Sequence, residues 1–222
     1  MRIRKKPWAH KELTENPYIL RSSEVYAGKM TEYFADNRPI HVEIGCGKGR
    51  FITRVAAKNP HINHIAIERE ATVLAAAARL FRESVNSASA SLVFLELDAK
   101  ELPEYFKPGE ISRLYINFCD PWHRRKKWAK RRLTHVNFLA MYEDLKIPEI
   151  FFKTDNRTLF EFSINQFSER GWIMRNISLD LHNSPMPEGQ ENIMTEYEAK
   201  FSAHGPIYRL EAIGPIKMHH RR

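Results

Sequence analysis

The chain has 222 residues, 43% of them hydrophobic, which is enough for one compact domain with a full core. Its opening residues, MRIRKKPWAH, lack the apolar stretch of a secretion signal, and no apolar run approaches the roughly 20 residues needed to cross a bilayer, so a cytoplasmic protein with no membrane contact is expected. A formal charge of +8 favours a polyanionic partner.

In chain order, the first feature is a basic stretch with Arg2, Arg4, Lys5, Lys6 and Lys11, read as an N-terminal arm over residues 1–20 that either clamps nucleic acid or is a solvated tail. A single domain is expected over residues 21–222. Residues 40–44 read as a strand, and residues 50–58, with Phe51, Ile52 and Val55 apolar, as a helix stopped near Asn59-Pro60. A second strand is predicted over 64–68, an alanine-rich helix over 71–81, and a third strand over 92–97. A turn at Lys107-Pro108-Gly109 precedes a fourth strand over 114–118. A helix over 136–145 leads into a fifth strand over 149–153, and Asn156 caps a helix that ends at Gly171. Residues 173–181 and 207–213 read as further strands. Strands alternating with helices imply right-handed crossovers and a largely parallel α/β sheet with helices on both faces, and ligands in such sheets bind at the carboxyl ends of the strands.

Those strand ends carry the chemistry. The first runs into HVEIGCGKGRF, where Gly45, Gly47 and Gly49 let a backbone turn approach a nucleotide without Cβ clashes. The pattern is neither the phosphate-loop GxxxxGK[ST] nor the dinucleotide GxGxxG. Glu68 ends the second strand about 20 residues on, where doubly wound folds place an acid on ribose hydroxyls, and otherwise it is a solvated residue opening the next helix. Glu43 lies inside the first strand, where a carboxylate needs a partner, and a cationic group on a ligand would provide one. Asp98 ends the third strand and is placed to accept from an adenine amino group. Three acids around a glycine turn suit S-adenosylmethionine, with its cationic amino acid tail, and would repel a pyrophosphate. Cys46 and Cys119 form neither a CxxC pair nor a metal-ligand spacing, so no zinc site or other metal is expected.

The fourth strand ends in NFCDPW, and Pro121 breaks the ladder so that Trp122 leaves the sheet with seven cations behind it: Arg124, Arg125, Lys126, Lys127, Lys130, Arg131 and Arg132. An indole stacks on a base for roughly 1–3 kcal/mol, Asp120 can accept from a base edge, and the cations suit phosphates. The alternative is a core tryptophan beside a solvated basic face. Later, KTDN places Asp155 at the end of the fifth strand, and TEYE spans Thr195, Glu196, Tyr197 and Glu198, which also reads as a plain helix start with acids at the positive end of its dipole.

The combination of VEIGCGKGRF, AIE at Glu68, LDA at Asp98, NFCDPW, FFKTDN and TEYEAKF resembles the bacterial tRNA (guanine-N7-)-methyltransferase family, in order and over nearly the whole chain. The resemblance implies the class I methyltransferase fold, a Rossmann-like, seven-stranded, mostly parallel sheet whose last strand is antiparallel. It also implies transfer of the methyl group of S-adenosylmethionine to N7 of a guanosine in the variable loop of tRNA. By resemblance Glu43, Gly45, Gly47, Glu68, Asp98 and Asp120 line the cofactor site; the positive charge left on an N7-methylated base gives Asp120 a catalytic role, with Asp155 as a second candidate, the alternative being that the two only hold the guanine edge. Arg124, Asp155, Thr195, Glu196, Tyr197 and Glu198 face the RNA substrate by the same resemblance, and the charge run itself makes Lys126, Lys127, Trp128, Lys130, Arg131 and Arg132 the expected RNA contacts. The chain departs from the family's DPWPKKRHxKRR at His123, Arg124 and Arg125 and carries one extra residue, with Trp128 near the usual histidine. Competing readings are a methyltransferase acting on an exocyclic base amine, a silent RNA-binding module with the same fold, and a nicotinamide-dependent oxidoreductase. Monomer and homodimer both remain open.

Overall fold

The structure, a computed structural model, describes residues 7–21, 28–84, 91–123 and 125–215. The first strands in the core are β2 (Ile40–Ile44), β3 (Asn63–Glu68) and β4 (Ser91–Glu96), with the helices α3 (Arg50–Lys58) and α4 (Ala71–Ser84) between them. Then come β5 (Ile111–Asn117), α6 (Val136–Asp144), β6 (Glu149–Thr154), α7 (Arg157–Glu169), β7 (Ile173–Ser178), α8 (Glu196–Phe201) and β8 (Tyr208–Ile213). Shorter elements precede and interrupt this series: α1 (Pro7–Glu15), β1 (Ile19–Leu20), α2 (Met30–Phe34) and α5 (Leu102–Tyr105).

The sheet order is β1-β4-β3-β2-β5-β6-β8-β7. All pairings from β1 to β6 are parallel, and β8, the last strand in the chain, runs antiparallel to both neighbours. Eight strands stand where seven were expected. The addition is β1, which pairs Ile19 with Phe94 and Leu20 with Leu95 at the edge. Two residues carry no periodicity to read, so pairing alone makes them a strand.

Alternation along the strands divides the core between the two faces. On one face Val42, Ile44, Ile116 and Phe152 pack with Leu139, Tyr142, Phe160 and Phe167 of α6 and α7. On the other, Ala66, Phe94 and Tyr115 meet Phe51, Ile52 and Val55 of α3 and Leu74 and Phe81 of α4. The helix ends follow their local chemistry. Asn156 Oδ1 accepts from Leu159 N at 2.8 Å, and the chain leaves α7 through Gly171 at φ 73°.

The stretch read as an arm is in large part folded. Helix α1 lies on α4, where Arg82 donates to Glu12 at 2.7 Å and the Arg79 guanidinium stands 5.7 Å from the Trp8 ring. Tyr18 meets Phe81 edge-on at 4.8 Å. The physical reason is an apolar side on α1, with Ala9 buried, that the run of charges before it conceals. Arg2, Arg4, Lys5 and Lys6 lie outside the described residues. Among the described residues no helix is long and apolar enough to cross a membrane, and no group of three or more His, Cys, Asp or Glu could hold a metal ion.

Candidate functional site

Strand order reverses between β2 and β5, and the glycine turn after β2 opens there. Gly45, Gly47 and Gly49 all have positive φ, at 72°, 56° and 76°. Gly45 N and Cys46 N both donate to Ile67 O, at 2.8 and 3.0 Å, and Gly47 N donates to Glu68 Oε2 at 3.2 Å. The carboxylate at the end of β3 therefore fixes the turn as well as facing the cleft. Gly49 has a packing role: a Cβ there would stand 2.8 Å from Ala77 Cβ, so glycine brings α3 and α4 together. Gly45 and Gly47 face open space.

Two cavities flank the turn and share Gly45 and Phe118 in their walls. The first, about 600 Å³, brings together Gly45, Glu68, Asp98, Asp120 and Trp122. Asp98 Oδ1 accepts from Lys100 N at 3.1 Å, capping a short 3₁₀ turn, and Glu101 returns a bond to Asp98 N. Asp120 takes no hydrogen bond or ion pair from any described residue. Burial pushes the neighbouring Cys119 thiol up to about 12, with the Asp120 charge adding to it, and burial also holds Cys46 well above its ordinary value. Neither thiol is a thiolate near neutral pH.

The second cavity, about 360 Å³, lies between the start of α3 and α8 and is lined by Glu43, Lys48, Phe118, Glu196, Tyr197 and Phe201. Glu43 is 2% exposed and faces this cavity rather than the first. Asn117 Nδ2 donates to its Oε1 at 2.9 Å, while Oε2 takes no hydrogen bond from the described residues. Burial raises its pKa to about 8, against the opposing pull of Asn117 and of the Lys153 charge.

Between the cavities the backbone is bent. Phe118 at φ 50° and Trp122 at φ 45° are both left-handed, each costing about 1–3 kcal/mol that the surroundings must offset. Phe118 N donates to Lys153 O at 2.8 Å, and its ring stands 5.1 Å from Tyr197. Tyr197 continues the row to Phe201 at 4.3 Å and donates its hydroxyl to Asp155 Oδ2 at 2.9 Å. Glu196 pairs with Lys48 at 2.7 Å across the cavity mouth.

Glu198 departs from the expectation that it faces the substrate. It is fully buried, accepting from Lys153 Nζ at 2.7 Å and Asn192 Nδ2 at 2.7 Å, and it completes a capping box with Thr195. Four residues sharing a helix start do not share a face, and the fourth points inward. Arg132 likewise is no RNA-facing cation. It is buried, its Nε donates to Pro121 O at 2.8 Å, and its guanidinium sits 4.3 Å from the Phe162 ring, so it braces the Asp120 turn from behind.

The rest of the basic run is a surface. Lys126–Arg131 forms a 3₁₀ helix that brings Trp128 to 6.0 Å from Trp122. Arg131 lies 4.9 Å from the Trp122 ring and Arg125 5.3 Å from Trp128. Arg125, Lys127, Lys130 and Arg131 are exposed, and among the described residues none of them pairs with a carboxylate. Arg124 and the side chain of Lys126 lie outside the described residues. Sequence reasoning assigned no role to Asn117, Phe118 or Lys153. A lone polar residue in each of two apolar strand ends was the available signal for Asn117 and Lys153, and nothing in composition announces the bend at Phe118.

A family profile described as "Putative methyltransferase" matches residues 37–210. A tRNA (guanine-N(7)-)-methyltransferase of Listeria innocua serovar 6a is 49% identical over 216 residues, covering 96% of this chain and 98% of the relative. One of the same description from Bacillus subtilis (strain 168) is 48% identical over 215 residues, covering 95% and 98%. Among solved structures, the 16S rRNA methyltransferase KamB superposes with a TM-score of 0.59 at 14% identity, covering 86% of this chain and 95% of that one. A precorrin-6y C5,15-methyltransferase from Geobacter metallireducens GS-15 gives 0.53 at 13% identity, covering 89% and 99%. At that identity the structures speak for the fold alone, and the fold is that of the class I methyltransferases.

Proposed function

The chain belongs to the tRNA (guanine-N(7)-)-methyltransferase family, and on that premise we propose that it methylates N7 of a guanosine in the variable loop of tRNA, in the cytoplasm, with S-adenosylmethionine as donor. The observation that carries this reading is the position of Asp120. Its carboxylate, free of other described residues, stands in one cavity with the acids around the glycine turn and with Trp122 and Arg131 of the cationic indole surface.

The residues of the first cavity fit the cofactor. Gly45, in its wall, leaves open space for a close backbone approach, as does Gly47 on the side of the second cavity. Glu68 retains acceptor capacity for ribose hydroxyls beyond its bonds to Gly47 N and Glu70 N, and Asp98 lies where an adenine edge would be met. The acids disfavour a pyrophosphate. S-adenosylmethionine, when bound, supplies a methyl group on a sulfonium that a lone pair can attack.

Guanine N7 already carries that lone pair, so no general base is needed, and the protein's task is alignment in a near-attack geometry. Methylation leaves a positive charge on the base, and Asp120 stabilises that charge as it develops, in a fixed orientation that costs no reorganisation. Phe118 and Tyr197 wall the base, while Asp155 is held by the Tyr197 hydroxyl. Arg125, Lys127, Lys130 and Arg131 neutralise tRNA phosphates, and Trp122 and Trp128 offer indole faces that the two arginines now cover. The test is methyl transfer to unmodified tRNA followed by nucleoside analysis. 7-Methylguanosine is the expected product. A methylated exocyclic amine, or tRNA binding without transfer, would overturn the proposal.

A further inference from the structure

Glu198 and Lys153 form a buried polar cluster in which Glu198 has no exposed side-chain surface and Lys153 stands in the wall of a neighbouring cavity. Lys153 Nζ donates three times, to Glu198 Oε2 at 2.7 Å, Ile193 O at 3.0 Å and Asn192 Oδ1 at 3.2 Å, which uses every proton an ammonium has. Glu198 Oε1 accepts from Asn192 Nδ2 at 2.7 Å and lies 3.2 Å from His182 Nε2. Its Oε2 lies 3.4 Å from Thr195 N. The Thr195 hydroxyl in turn accepts from Glu198 N at 2.9 Å.

The strand end therefore grips the same short helix at two points. Lys153 takes Glu198 on the inside, and Asp155, two residues on, takes Tyr197 on the outside. Lys153 also pairs in register with Asn117, the residue that holds Glu43, and its carbonyl fixes Phe118 N. One lysine thus ties the wall formed by Phe118 to the wall formed by Tyr197. A carboxylate with no exposed surface and all its acceptor directions engaged cannot also read a base edge.

We propose that Lys153 is a positioning residue for methyl transfer: it holds Glu198, and through the Thr195 cap it sets residues 195–197 against Phe118 and Asp155, so that Glu198 serves the reaction without touching the guanosine. This rests on the methyl-transfer reading above, and the experiment separates the two. Lys153→Met, Glu198→Met and the double variant are compared in tRNA KM, kcat and cofactor Kd. Removing one partner of a buried pair strands the other's charge, whereas an apolar pair of similar volume is tolerated, so the double variant is the one that keeps its fold.

The expected result is a rise of about tenfold or more in tRNA KM for each single variant, with cofactor Kd within about threefold, and a double variant no worse than the worse single. Losses that multiply in the double variant would mean that Glu198 makes a contact of its own with guanosine, and the proposal would be wrong. If the singles do not fold, the double is compared with Lys153→Arg, which keeps the charge and Glu198: a tRNA KM raised about tenfold in both supports positioning by Lys153, and an undisturbed KM in either refutes it. Wild-type protein that forms no 7-methylguanosine would instead remove the functional reading, before any variant is compared.

Discussion

Asp120 and Glu43 are both carboxylates at strand ends beside one glycine turn, and their surroundings give them different work. Asp120 is unengaged by described neighbours and meets the indole surface. Glu43 is buried at the wall of the second cavity with one bond from Asn117. Asp120→Asn is therefore expected to lower kcat by about 10²–10³-fold while leaving tRNA affinity near that of wild type, as for loss of one preorganised electrostatic group. Single-turnover transfer and tRNA binding, measured side by side, check this, and full turnover would remove the electrostatic role. Glu43 answers to pH. Its folded pKa of about 8 lies above the unfolded value of 4.5, so its contribution to stability is complete below pH 4.5 and is lost as pH rises through 8. Glu43→Gln should thus gain on wild type across that window by about 1.4 kcal/mol per pH unit, with the advantage vanishing toward pH 4.5. Chemical denaturation in a pH series measures it, and a pH-independent difference would contradict the buried neutral carboxyl. His41 and His64 act with the opposite sign. Burial lowers them from 6.5 to about 3 and about 4, so their contribution is present above 6.5 and is lost as pH falls toward those values.

At the scale of elements, the glycine turn shows how one motif serves two ends. Gly45 and Gly47 face space, whereas Gly49 sits against Ala77 with no room for a methyl group. Gly49→Ala combines positive φ with a backbone and Cβ clash and should destabilise the fold by about 2–4 kcal/mol, read as a lower denaturation midpoint. A substitution without effect on the midpoint would show that α3 and α4 can separate freely. The central elements were legible because their patterns are long and regular: β2 and α3 begin and end where the residues predict, and Asn156 caps its helix as its side chain dictates. The departures have physical causes. Strand β1 is two residues long and exists only through β4, and α1 hides an apolar side behind basic residues. Asp120, Asp98, Glu68 and Gly45 were readable as strand-end chemistry and line one cavity, while Gly47 and Gly49 line the other. The inward turn of Glu198 and the bracing role of Arg132 depend on partners far away in sequence, Lys153 and Phe162, which no local pattern names.

At the scale of the whole molecule, a sheet that reverses its strand order at β2 and β5 gathers acids in a cavity whose wall also carries Trp122 and Arg131 of the cationic surface. The excess of positive charge is therefore not spread evenly: the four exposed cations of the 3₁₀ segment and its flank lie beside the indoles, where a phosphate backbone would bring a base to Asp120. With guanine N7 as the acceptor atom, the site is built around the charge left there. The most direct measurement is methyl transfer to a tRNA in which the acceptor guanosine is replaced by 7-deazaguanosine, compared with the same tRNA carrying guanosine. Transfer to the guanosine tRNA and none to the 7-deaza tRNA is expected, with both tRNAs bound about equally. Transfer to the 7-deaza tRNA would contradict it, because the methyl group would then be going to another atom.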